Sequence, residues 1–211
     1  MKRNVAYTVT ACVAFMVLLV GLLVHRVLSP TILTNEQLRE NGLFVYDEPR
    51  PIKDFMLIDQ DGKAFTRDRL LGKWTLLYFG YTYCPDICPV TLATISQFSK
   101  LLEDTGYAGD TQVAMITVDP QRDTPEKLKQ YMTYFNKDYI GATGEYLEIF
   151  NLARQLNIAF SYQPADNGEY LVSHSGEIVL VNPNGDFHGF FKVPHEPEKM
   201  LFNYTSVRES F

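Results

Sequence analysis

Apolar and polar positions alternate along this chain on three different rhythms. From Val5 to Val24 there is no charged residue, a length that crosses a bilayer core of roughly 30 Å as a single helix. Residues 29–50 are polar, with Pro30 and Pro49, and are expected to be a stem leading to a folded domain over 51–211. There the pattern shortens. Phe55–Ile58 and Lys63–Thr66 flank Asp59-Gln-Asp-Gly62, which predicts a strand, a turn tolerating positive φ, and a strand. Asp68–Leu71 reads as one helical turn closed by Gly72. Trp74–Gly80, Gln112–Val118 and Glu177–Val181 are apolar at successive positions, as strands buried on both faces are.

Between these runs the period lengthens to that of a helix. Thr91–Leu102 places Leu92, Ile95, Phe98 and Leu102 on one face, with Ser99 beside Phe98. Leu128, Tyr131, Met132 and Phe135 make another face, preceded by Thr124 as N-cap and Pro125 at the first helical position. Glu145–Leu156 turns Ile149, Phe150, Ala153 and Leu156 inward. Ile158, Phe160 and Tyr162 alternate, as do Tyr170 and Val172, around a turn at Asp166-Asn167-Gly168. After Glu177–Val181, Pro183-Asn184-Gly185 turns the chain into Phe187–Phe191, and Pro197–Tyr204 predicts a last helix. The order predicts an α/β domain with a mixed central sheet flanked by helices. A strand, a cysteine turn and a long helix come first, and a β-hairpin with a helix closes the domain. That is the layout of the thioredoxin-like fold.

The N-terminal run follows Lys2-Arg3 and precedes His25-Arg26. The excess of positive charge at the start favours an uncleaved transmembrane anchor over 1–28 with the start in the cytoplasm. Neither a signal peptide's short apolar region nor its small-residue cleavage site is present. A bacterial inner membrane, crossed once, with the C-terminal domain in the periplasm, is the simplest expectation. The net charge is −6, and all 25 acidic residues lie beyond the apolar run. An acidic domain without a basic stripe is no surface for nucleic acid.

Three cysteines remain to be placed. Cys12 falls inside the apolar run. Cys84 and Cys88 stand in Gly80-Tyr-Thr-Tyr-Cys84-Pro-Asp-Ile-Cys88-Pro89, at the junction of a buried strand and a helix, where a helix N-terminus favours thiolates. In a thioredoxin layout the segment before the closing hairpin, here Ser173-His174-Ser175, lies beside the cysteine turn. Two thiolates and an imidazole form a soft set that suits copper(I) or zinc. A dithiol in an oxidising compartment can instead exchange disulfides. Against that stand the extra residue between the cysteines and His174 where thioredoxins carry a cis proline. A peroxide-reducing thiol needs an adjacent basic residue, and none is local to either cysteine. A structural disulfide and a hydrogen-bonded loop histidine are the plain alternatives. His188 and His195 read as surface residues, Asp86 as solvated, and Tyr81 and Tyr83 as lining the site or packing. Asp119 and Asp123 either shape a loop or help dock a partner.

The cysteine motif, the loop Asp119-Pro-Gln-Arg-Asp-Thr-Pro125 and His174 after a turn together resemble the Sco/SenC family, from about Pro51 to the C-terminus. The resemblance implies a tethered thioredoxin-like domain that binds copper through Cys84, Cys88 and His174. It also implies an assembly role: delivering copper to the dinuclear centre of cytochrome c oxidase subunit II or a similar client, or reducing that subunit's cysteines, or both. A periplasmic copper donor or thiol reductant would then be a further partner. The redox pair, if one operates, is Cys84 and Cys88. Such a protein is a metallochaperone before it is an enzyme.

Overall fold

The computed structural model describes residues 2–28, 32–164 and 170–211. It divides into two units, Met1–Ile32 with Thr205–Phe211, and Leu33–Tyr204. In the first, α1 (Lys2–Leu28) carries Tyr7–Val24, and among the described residues it is the one helix long and apolar enough to cross a membrane. Its side chains from Tyr7 to Val24 are exposed, as a lipid-facing surface requires.

The second unit is built on β4 (Trp74–Gly80), in which every residue is buried. It pairs in parallel with β5 (Thr111–Thr117) and antiparallel with β9 (Ile178–Val181). Burial on both sides explains why these runs show no alternation. β6 (Ile140–Thr143) extends the parallel side, followed by β2 (Met56–Asp59) and β3 (Ala64–Thr66). Beyond β9 lie β10 (Asp186–Phe191) and β1 (Leu43–Pro51), giving the order β1-β10-β9-β4-β5-β6-β2-β3. Both parallel and antiparallel neighbours occur, so the sheet is mixed. Helices α3 (Ile87–Glu103), α4 (Pro125–Phe135), α5 (Tyr146–Gln155) and α6 (Pro197–Ser210) follow in sequence. Phe98 of α3 and Trp74 of β4 both meet the ring of Tyr204 edge-on, at 5.5 and 6.0 Å, which joins α6 to the core. This is the expected thioredoxin-like fold. The caps agree as well: the Thr124 side chain accepts from the Lys127 N–H at the start of α4.

Four findings differ from the sequence expectations. The polar stem folds: α2 (Asn35–Glu40) opens with a capping box on Thr34, and β1 pairs with β10. Gly189 permits that pairing, because a Cβ there would sit 2.1 Å from the Phe44 carbonyl oxygen. The chain thus joins the sheet from Leu43, before the expected boundary at 51. β6 is a strand that no apolar run announces. His188 is buried rather than on the surface, edge-on to Trp74 at 5.1 Å, and burial lowers its pKa to about 4. His195 is half-buried with Nε2 2.8 Å from the Gly176 carbonyl. Ile158, Phe160 and Tyr162 lead into β7 (Phe160–Pro164), which pairs with β8 (Tyr170–His174) in a separate two-stranded ribbon. The turn at Asp166-Asn167-Gly168 lies outside the described residues.

Candidate metal centre

The cysteine turn closes more tightly than its sequence suggests. α3 begins at Ile87, so Cys88 already sits in its first turn. Asp86 precedes the helix but its side chain makes no capping bond. The Cys84 sulfur takes that place, accepting from the Cys88 N–H at 3.4 Å. An unpaired donor at a helix start needs a partner, and here it finds a sulfur. Cys88 is fully buried and Cys84 is 9% exposed.

His174 ends β8, the ribbon strand opposite the cysteine turn. Its Nδ1 lies 2.9 Å from the Ser175 carbonyl. A carbonyl only accepts, so Nδ1 carries the proton and Nε2 presents its lone pair. Nε2 stands 3.2 Å from the Cys88 sulfur. The two sulfurs and the imidazole nitrogen all lie within 4.8 Å of one another. The hydrogen bond from Cys88 holds the Cys84 thiol down at about 4, against the opposing effect of burial, and the N–H groups of Asp86 and Cys88 add to it. The same bond to Cys84, with burial, pushes Cys88 up. Of the two thiols, Cys84 is the more readily ionised. Two soft sulfurs and one imidazole with a free nitrogen fit a thiophilic ion such as copper(I), and zinc suits the same set.

Asp119 and Asp123 do not join these ligands. Both are fully buried and bind neighbouring protein donors instead. Asp123 accepts from the Thr82 N–H at 3.0 Å, the Thr82 hydroxyl at 2.6 Å and the Thr117 hydroxyl at 2.6 Å. Thr82 stands just before the cysteines, so this carboxylate fixes the turn. Asp119 accepts from the Tyr170 hydroxyl at 2.8 Å and pairs with Arg122 Nε. Arg122 also donates to the Tyr170 carbonyl at 3.1 Å, and its guanidinium lies 3.9 Å from the Tyr170 ring centroid and 4.9 Å from that of Tyr83. The loop thus holds the cysteine turn on one side and the histidine ribbon on the other.

Tyr81 belongs to the site wall. Its ring meets His174 edge-on at 6.0 Å, and its hydroxyl accepts from the Val172 N–H. Tyr83 is exposed and packs on Arg122 and Lys127. Asp86 is solvated as expected. Sequence reasoning did not single out Gly80, Tyr78, Thr82 or Arg122. A Cβ on Gly80 would lie 2.8 Å from Tyr78 Cε1 and 3.1 Å from the Cys88 sulfur, so the glycine that ends β4 leaves room for the thiol. The signal for Tyr78 was a phenol set among Leu76, Leu77 and Phe79 in the middle of a buried strand.

Fold and site together define a thioredoxin-like domain that gathers two thiols and an imidazole at the start of its first long helix. The chain belongs to the SCO1/SenC family, whose model matches residues 46–208. A Stutzerimonas stutzeri protein described as copper-binding is 37% identical over 161 residues, covering 76% of this chain and 78% of that one. A SCO2-like protein of Rickettsia conorii is 35% identical over 150 residues, 70% and 72% of the two chains. Among solved structures, copper-bound ScoI of Arabidopsis thaliana is 35% identical with a TM-score of 0.70, covering 74% of this chain and 98% of that one. Copper-bound ScoI of Bradyrhizobium japonicum is 34% identical with a TM-score of 0.66, over 75% and 98%.

Proposed function

We propose that this chain is a membrane-tethered copper-binding factor for cytochrome c oxidase assembly, with Cys84, Cys88 and His174 as the protein ligands of one copper ion. The convergence of those three donor atoms within 4.8 Å carries the reading. Family membership supports copper as the ion and oxidase assembly as the setting. Copper is cargo here: it is received from a donor and passed to the dinuclear copper site of oxidase subunit II or a similar client. Cys84 supplies a ready thiolate, Cys88 gives up its proton, and His174 offers Nε2. The N-terminal helix tethers the domain to a bacterial inner membrane, and Lys2-Arg3 ahead of it favour a periplasmic domain.

The test is metal analysis of the reduced full chain in detergent. One copper per chain is expected, with His174→Ala losing most of the affinity while keeping its fold. Full copper binding by His174→Ala refutes the ligand set. In cells, deletion should cause an oxidase defect that added copper relieves.

The lowered Cys84 thiol favours a second activity, reduction of a client disulfide. The Cys84 thiolate attacks one client sulfur and releases the other as a thiolate. Cys88 then loses its proton and attacks the Cys84 sulfur, releasing the second client sulfur as Cys84 and Cys88 join; the client gains two electrons from the pair, one proton from Cys88 and one from solvent. Turnover that needs both cysteines but survives His174→Ala supports it. The oxidised pair has no thiolate for copper, so oxidised protein is expected not to load.

A further inference from the structure

Two buried phenols near the thiols have no hydrogen-bond partner among the described residues: the hydroxyls of Tyr78 and Tyr131. Leaving a buried hydroxyl unpaired costs about 1–3 kcal/mol, so its persistence needs a reason. Tyr78 is fully buried on β4, two residues before Gly80 and on the same face of the strand. Its ring edge and the Cys88 sulfur flank the same gap, at 2.8 and 3.1 Å from the position a Gly80 Cβ would take. Its ring also meets His174 edge-on at 5.9 Å.

We propose that the Tyr78 hydroxyl is a positioning donor for the metal-loaded site, paired with the Cys88 sulfur once that sulfur is a thiolate. In the metal-free site the Cys88 sulfur faces His174 Nε2 at 3.2 Å, and a thiol sulfur accepts only weakly. A cysteine ligates a metal as the thiolate, which is a strong acceptor. The phenol is then in place to hold it. Electrostatics agree: after burial, the Cys88 sulfur is the largest influence on the Tyr78 phenol, ahead of the Thr91 side chain, and Tyr78 in turn favours the Cys88 thiolate. The Tyr131 phenol feels both cysteines through space, with no hydrogen-bond influence from either.

This inference rests on the copper reading, and its test separates the two. Reduced full-length Tyr78→Phe in detergent is titrated with copper(I) against a competing chelator. Affinity is expected to fall about 10–100-fold, the usual effect of losing a partner of a metal ligand. In the copper(II)-loaded form the sulfur-to-copper absorption band is expected to move to longer wavelength, because an unbonded sulfur gives up its electron more easily. Melting of the metal-free variant should be unchanged or raised. Tyr131→Phe should match the wild type in copper affinity and band position. Replacing Tyr78 by a ring-fluorinated tyrosine keeps the shape, strengthens the donor and should move the band the opposite way. Wild-type affinity and band position in Tyr78→Phe overturn the proposal. If Cys88→Ala and His174→Ala bind as the wild type does, the copper reading fails instead.

Discussion

Replacing Asp123 by alanine tests whether the buried acids serve the fold or the metal. The carboxylate accepts three hydrogen bonds, two from Thr82 and one from Thr117, and it is fully buried. Hydrogen bonds to a charged group contribute about 1.5–3 kcal/mol each, and a buried donor left unpaired costs about 1–3 kcal/mol. The two hydroxyls can rotate to other acceptors, whereas the Thr82 N–H is fixed by the turn. The expected loss is therefore about 4 kcal/mol rather than the full sum. A domain of this size loses about 2–4 °C of melting temperature per kcal/mol, so Asp123→Ala should melt roughly 8–16 °C lower. Asparagine keeps one carbonyl oxygen for the Thr82 N–H and can donate to a threonine hydroxyl, so Asp123→Asn should lose about 1 kcal/mol. Thermal melts of the reduced, metal-free full chain read both variants. Copper titration well below the melting point should show a modest loss of affinity. An alanine variant that melts within about 2 °C of the wild type refutes the hydrogen-bond account. One that melts normally but binds no copper shows that the acid acts on the metal.

Arg122→Leu should cost about 3 kcal/mol by leaving the Asp119 carboxylate buried and unpaired, and adding Asp119→Asn should restore part of it; a double-mutant cycle by urea unfolding measures the coupling, and simple additivity contradicts the pairing. Gly80→Ala should destabilise by about 1–3 kcal/mol and weaken copper binding, because its Cβ meets the buried Tyr78 ring and the Cys88 sulfur; wild-type melting and affinity would show that the strand end can shift. His188 is held neutral in the fold, with its pKa lowered to about 4 by burial, while in the unfolded chain it takes a proton below about 6.5. Its stabilisation is complete above that value and is lost as pH falls toward 4, amounting to about 2 kcal/mol by pH 5. His188→Gln should flatten that part of the unfolding profile, and an unchanged slope refutes the assignment.

The central strands and helices were legible because burial on both faces leaves uninterrupted apolar runs such as Trp74–Gly80, and amphipathic helices leave a 3.6-residue period. Cys84 and Cys88 were legible from spacing, and His174 from the order of elements. Three things were not. β1 looked like a stem because its outer positions face solvent and carry Asp47, Glu48 and Arg50, as an edge strand does. β6 is short and includes Gly141, which pairs with Met115 in the interior. The roles of Asp119 and Asp123 were ambiguous because an acid in a loop looks the same in sequence whether it faces solvent or buried donors.

The reason the acidic loop accompanies this cysteine turn lies in where the histidine comes from. Cys84 and Cys88 ride on the junction of β4 and α3, anchored in the centre of the sheet. His174 ends a two-stranded ribbon outside that sheet, and such a ribbon is marginally stable by itself. It is held by cross-links instead. The Tyr162 hydroxyl donates to the Val118 carbonyl, Tyr170 is gripped by Asp119 and Arg122, and the Val172 N–H donates to Tyr81. The same loop reaches back through Asp123 to Thr82. Loosening the ribbon therefore moves the imidazole relative to sulfurs that stay fixed, so Arg122→Leu should weaken copper binding through His174 while Cys84 keeps its reactivity. Alkylation of Cys84 at the wild-type rate alongside reduced copper affinity is the expected pair of results. Equal loss of both would place the cysteine turn, rather than the ribbon, under the control of Arg122.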